Sequence, residues 1–150
     1  MVWSMDEILQ IRVRAQQELA ASLADIPGGR DVLDWFDGPP EFGDAEIVSL
    51  HLDRRGPITL RIALDHCGKS AIFVFDLAAW IDTDLRGFSH QNVISGLTLR
   101  RAEEREVQPW ELGVGCRPGE WTIELGPCFG AYGTIRADIA RIVIEQVPDA

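Results

Sequence analysis

The chain reads as an α+β domain that is mostly β, an antiparallel curved sheet or sandwich of about seven to eight strands with an N-terminal helix. Three observations predict it. Apolar residues recur at helical spacing only as far as Asp25, and from Asp44 onward they alternate with polar ones. After that change, turn-forming clusters return every ~8–12 residues, the spacing of short antiparallel strands. The 150 residues, 46% of them hydrophobic, are enough to bury one core without disulfides or metals. No linker, repeat or low-complexity tract divides them, so residues 1–150 are read as a single domain, with helix 1–26 packed on or extending a β domain of residues 27–150.

The helix opens at Ser4-x-x-Glu7, where each side chain can satisfy a free amide of the first turn. Ile8, Ile11, Ala15, Leu19 and Leu23 follow as a stripe expected to face the core, and Pro27-Gly28-Gly29 ends the run. A short helical turn is expected over Asp31 to Phe36, stopped by Gly38-Pro39-Pro40. Val48, Leu50 and Leu52 then alternate with Ser49, His51 and Asp53, and Asp53 to Pro57 makes a turn. Ile58, Leu60, Ile62 and Leu64 resume the alternation, giving a hairpin with one wet face. Ala71 to Leu77 is apolar on both faces, as in a central strand. Further strands are expected over Trp80 to Arg86, Val93 to Arg101, Trp110 to Cys116, Gly119 to Leu125 and Ile139 to Val147. The last of these has a helix-compatible composition, but its β-branched residues favour a strand.

Charge excludes some functions. The net charge of -10, from 24 acids against 14 bases, repels nucleic-acid phosphates and anionic membranes at long range and attracts a basic partner. It is also uneven: from Asp31 to Glu46 there are six acids and no base. The N-terminus has no basic start or apolar core of a leader, and AIFVF and LAAWI are far shorter than the ~20 residues of a membrane span. Cys67, Cys116 and Cys128 are an odd set without metal or redox spacing, which predicts reduced thiols and a cytoplasmic protein.

The run Gly87-Phe88-Ser89-His90-Gln91-Asn92 gathers a hydroxyl, an imidazole and two amides. Adjacent Ser and His seldom face each other, and no nucleophile elbow accompanies them. The run is expected to be a turn, with Gly87 supplying its geometry, Asn92 bonding the backbone, and Phe88 and Val93 anchoring it in the core. Asp82 and Asp84, on one face of a strand, would need His90 or Asp76 to hold a cation or act as acid and base. His66-Cys67 matches no short zinc signature, and a buried thiol beside a surface histidine is the simpler reading. No catalytic residue, metal or cofactor is assigned. Of the five tryptophans, Trp35 stands apart, because it lies among the carboxylates of the acidic run.

The span from Trp35 to about Ile144 resembles the immunity protein 50 family of bacterial polymorphic-toxin systems. The resemblance rests on Trp35 before Gly38-Pro39-Pro40, and on Phe42-Gly43-Asp44-Ala45-Glu46 leading into an alternating strand. It extends to Phe73 and Phe75, the Gly87 to Asn92 run, and the glycine-rich stretch from Cys128 to Gly133. The helix from Ser4 to Asp25 lies outside that pattern. What the resemblance implies is a cytoplasmic, non-enzymatic protein that binds a cognate toxin and blocks it. It carries no catalytic residue over to this chain.

The base-free run then points to Trp35, Asp44, Glu46, His51 and Asp53 as the partner-binding residues, facing a basic toxin. Two other classes compete. A small-ligand or carbohydrate-binding β module would need a concave pocket lined by Trp80, Trp110 or Trp121, and an enzyme would use Asp82, Asp84 and His90. An exposed edge strand would let a second copy pair with the first and form a homo-oligomer.

Overall fold

A computed structural model describes residues 2–101 and 120–146 of the chain. Two helices, α1 (Met5–Ala24) and α2 (Gly29–Phe36), precede six described strands: β1 (Glu46–His51), β2 (Ile58–His66), β3 (Lys69–Arg86), β4 (Val93–Arg101), β5 (Trp121–Phe129) and β6 (Tyr132–Gln146). The strands form one closed antiparallel barrel in the order β1-β2-β3-β6-β5-β4. The expected curved sheet thus closes on itself, which removes most of the free edge on which the homo-oligomer expectation rested. The strand expected at Trp110 to Cys116, the turns at Ala102 to Glu106 and Arg117 to Gly119, and Val147 lie outside the described residues.

Helix α1 begins as its capping box dictates: Ser4 Oγ accepts from the Glu7 amide at 3.2 Å, and the Glu7 carboxylate accepts from the Ser4 amide at 2.9 Å. Its stripe is only partly core. Leu19 and Leu23 are buried, whereas Ile11 is 53% exposed and Ile8, Leu9 and Val13 are also uncovered. The N-terminal half of the helix runs past the body it was expected to cover. At the corner between the helices Gly28 has φ +84°, and a Cβ there would lie 2.1 Å from the Ile142 carbonyl oxygen of β6. That close approach lets the Pro27 carbonyl accept the Ile142 amide at 2.9 Å, which seats α2 on the barrel with Val32 and Phe36 inward.

The β1–β2 hairpin pairs Glu46 with Ala63 and His51 with Thr59, but its register shifts between Ile47 and Ser49. Val48 is the extra residue of a β-bulge, and the bulge reverses the phase read from alternation. Ile47, opposite the buried Ile62, points into the barrel; Val48 is 51% exposed, and Leu52 is exposed beyond the strand. Only Leu50, opposite Leu60, keeps its expected inward position.

Strand β3 is one continuous element where two were expected. It pairs with β2 over its first half and with β6 along nearly its whole length, absorbing register shifts near Asp76 to Asp82. Its first half is buried on both faces, Phe73 and Phe75 inside and Val74 outside. Phe42 lies edge-on to Phe73, with ring centroids 5.2 Å apart, and so closes one barrel end. The outer face carries cross-strand ion pairs: Arg61 with Glu145, Arg141 Nε with Asp76 Oδ2 at 3.0 Å, and Arg136 Nη2 with Asp82 Oδ2 at 3.3 Å. Among the described residues, no helix is long and apolar enough to cross a membrane.

The bulge makes a paired prediction. Ile47→Ala is expected to destabilise the protein by about 2–4 kcal/mol through a core cavity. Val48→Thr, one residue on, should change stability by no more than about 0.5 kcal/mol. Urea unfolding of both variants checks the order, which the uninterrupted alternation would reverse.

Candidate functional site

Two of the five residues expected to bind a partner come together. Asp44 and Glu46 line a depression of about 170 Å³ with Ala63, Leu64, Asp65, Ser70 and Ala71. Local backbone chemistry puts them there. Asp44 adopts φ +67°, a left-handed conformation that aspartate tolerates better than most residues, and its amide donates to the Ile94 carbonyl at 3.0 Å. Glu46 then starts β1, flanked by Ala63 on one side and Val93 on the other, with its side chain outward. Asp65 joins them through the β2–β3 register, which sets it opposite Ser70, whose hydroxyl donates to the Asp65 carboxylate. Asp44 and Glu46 have no ion-pair partner among the described residues, in contrast to Asp76, Asp82 and Glu145.

Trp35 sits near the same end but is not a free aromatic anchor. It is half-buried, its ring 4.7 Å from that of Phe36. Lys69, from the β2–β3 turn, places its ammonium 4.9 Å from the Trp35 ring centroid and donates to the Trp35 carbonyl. The Lys69 ammonium is thereby held on the indole. His51 and Asp53 lie at the other end of β1, roughly 17 Å away along the strand. Their side chains are 4.0 Å apart, and Asp53 Oδ1 also accepts the Arg55 amide at 2.9 Å, so Asp53 shapes the turn. They do not belong to the Asp44–Glu46 surface.

The Gly87 to Asn92 run is the turn expected of it, and more. Asn92, at φ +42°, accepts on Oδ1 from the Ser89 amide at 2.8 Å and from the Ala131 amide at 3.1 Å, while Nδ2 donates to the Ser89 carbonyl at 2.6 Å. Its own carbonyl accepts the Ile47 amide at 2.9 Å. One side chain thus ties the β3–β4 loop to the β5–β6 turn beside the start of β1. His90 is exposed, and Phe88, expected in the core, is 54% exposed because the Asn92 bonds, not its ring, hold the turn. Val93 is half-buried.

The remaining candidates disperse. Asp82 is engaged by Arg136, and Asp84 lies 3.6 Å from Arg86 Nε. No group of three or more His, Cys, Asp or Glu able to hold a metal is found among the described residues. Cys67 and His66 reverse their expected burial. Cys67 sits exposed at φ +50° in the tight β2–β3 turn, and His66 is half-buried because its ring packs edge-on to Phe36. Of the tryptophans, Trp121 is in the core beneath the Arg101 guanidinium, and Trp3 is exposed. A groove of about 600 Å³ runs between α1 and strands β4 and β5, with Arg12, Leu19, Phe42, Leu97, Leu125 and Tyr132 among its walls and no tryptophan among its described lining. Trp110 and Cys116 lie outside the described residues. Sequence reading missed Asp65 and the buried Glu120; Asp65 needed the hairpin register, and nothing in the local pattern marks Glu120 as an inward residue.

Compared with known proteins, the chain matches no family model, no curated protein and no solved structure.

Removing the Asn92 side chain should cost about 2–3 kcal/mol, from the lost hydrogen bonds and the left-handed backbone that alanine resists. His90→Ala should stay within about 0.5 kcal/mol of the parent. Chemical denaturation of Asn92→Ala and His90→Ala separates a structural knot from a reactive cluster, since an active site built on His90 would show the loss in activity instead.

Proposed function

We propose that this barrel is a cytoplasmic, non-catalytic immunity protein, which neutralises a cognate bacterial toxin by binding it through the acidic end of the β1–β2 hairpin. The observation that carries the reading is the depression where Asp44, Glu46 and Asp65 converge, with Asp44 and Glu46 unpaired among the described residues. Among the described strands, Asp76, Asp82, Glu124 and Glu145 are each balanced by a cross-strand arginine, whereas Asp44 and Glu46 are not. Exposed carboxylates on a rigid strand speed encounter with a basic surface and choose among partners by charge. The resemblance to immunity proteins, carried by the Trp35 to Glu46 segment and the Asn92 turn, supplies the kind of partner.

A small-ligand reading draws less support. The large groove has Phe42 and Tyr132 as its aromatic walls, and Phe42 is already spent on the core. The carboxylate-enzyme reading loses Asp82 to Arg136 and finds His90 in the turn.

The experiment is co-expression with the product of the neighbouring gene, followed by affinity and toxicity measurements. Asp44→Asn combined with Glu46→Lys removes charge while leaving a residue at position 44 that accepts φ +67°. The pair should lower affinity by about 10- to 100-fold, mostly by slowing association and flattening its salt dependence. Unchanged affinity and rescue in the double variant would move the interface elsewhere, and a harmless neighbouring product would end the immunity reading.

A further inference from the structure

Strand β4 is paired along its length on one side only. β5 accompanies it from Val93 to Arg101, whereas β1 meets its other side at the single pair Glu46–Val93, extended by Ile94, which donates to the Ala45 carbonyl and accepts from the Asp44 amide. Beyond Ile94 that second side has no strand partner among the described residues. Two carbonyls show how its backbone then faces. A Cβ on Gly43 would lie 3.5 Å from the Ser95 carbonyl oxygen, and the Leu99 carbonyl accepts the Ser22 hydroxyl of α1 at 3.3 Å. Alternate residues of a strand turn their N–H and C=O to the same side, so Leu97 presents both groups to the gap between Gly43 and Ser22. The bulge at Ser95–Gly96 in the β4–β5 register brings Leu97, rather than Gly96, to this side.

The gap is the groove of about 600 Å³, with Arg12 and Gln16 of α1 on one wall, the β4 edge on the other, and the buried Phe42 and Leu125 at its floor. From Ser95 to Leu99 the edge is roughly 13 Å long, enough for three or four extended residues. A donor and an acceptor on one main-chain residue, above an apolar floor and facing a helix, are matched by another extended backbone.

We propose that the groove takes an extended segment of the toxin, which adds a short strand to β4 opposite Leu97. The inference rests on the toxin-binding reading for the partner and goes beyond it in naming a second, main-chain contact. Continuity and charge specify the segment. The groove ends at Gly43, one residue from Asp44, and Glu41 lines that end without an ion-pair partner among the described residues. A strand leaving there passes onto the acidic depression. The segment is therefore apolar over Phe42 and Leu125, basic where it reaches Glu41 and Asp44, and free of proline at the residue that donates to the Leu97 carbonyl.

The test is residue-resolved amide hydrogen exchange on the full chain, alone and with the product of the neighbouring gene, alongside affinities of two variants. Exchange at Leu97 should be fast in the free protein and slow by about tenfold or more in the complex. Gly96→Leu fills the groove without a clash, since a Cβ there meets nothing within 4 Å. It should weaken binding by at least about tenfold while leaving the salt dependence of association at the parent's value, unlike the Asp44 and Glu46 double variant. Leu97→Pro deletes the edge donor on the side that β5 does not use and should weaken binding similarly. A complex in which Leu97 still exchanges freely, or one indifferent to Gly96→Leu, overturns this inference and leaves the acidic surface standing. Weakening by Gly96→Leu with an inert double variant keeps the groove and removes the acidic surface. Protection of Leu97 that grows with the concentration of the free protein would put a second copy there and overturn the assignment, and the absence of any complex overturns both readings.

Discussion

The barrel depends on how its first strand meets its last. β1 and β4 share one ladder pair, Glu46 with Val93, reinforced by backbone bonds from Ile47 to Asn92, from Ile94 to Ala45 and from Asp44 to Ile94. Every other strand contact is long, so this seam is where closure is won or lost. Two residues in left-handed conformations frame it, Asp44 and Asn92, and each is a short polar side chain of the kind that tolerates that backbone. The Asn92 amide then ties the loop before β4 to the turn before β6, so that closing the seam also fixes three connections at one end. The position of Asp44 and Glu46, and with it the proposed binding surface, is a by-product of that closure.

Much of this was legible in the chain. The Ser4–Glu7 capping box, the break at Pro27, the change of period near Asp44, the doubly buried first half of β3 and the second half of the final strand all appear where local chemistry puts them, although that strand starts at Tyr132, seven residues before the expected Ile139. What was not legible is what depends on partners distant in sequence. A bulge at Val48 leaves no mark in the alternation that it reverses, because both phases place aliphatic residues inward. The stripe on α1 is as apolar as a core stripe, and no local signal says that the barrel ends before the helix does. Cys67 and His66 exchanged their expected burial because Phe36, thirty residues earlier, claims the imidazole.

The candidate site was half legible for the same reason. Composition singled out the acidic run, and Asp44 and Glu46 do share a surface. It could not say that Asp65 would join them across the hairpin, that Lys69 would occupy Trp35, or that His51 and Asp53 would fall at the opposite end of the strand.

That separation along the hairpin has an electrical consequence. Asp44, Glu46 and Asp65 stand at one end of a nine-residue strand, and Arg54 and Arg55 stand in the turn at the other, roughly 30 Å apart, with no ion-pair partner for either arginine among the described residues. Charges of opposite sign held that far apart on a rigid frame contribute a component along β2 to the dipole moment, reduced by Asp53 in the same turn as the arginines. In the field of a cationic body the molecule experiences a torque before it makes any contact, and turns the Asp44 end forward. On the proposed reading, productive collisions would then be drawn from a narrowed set of orientations, and recognition would begin as alignment at a distance.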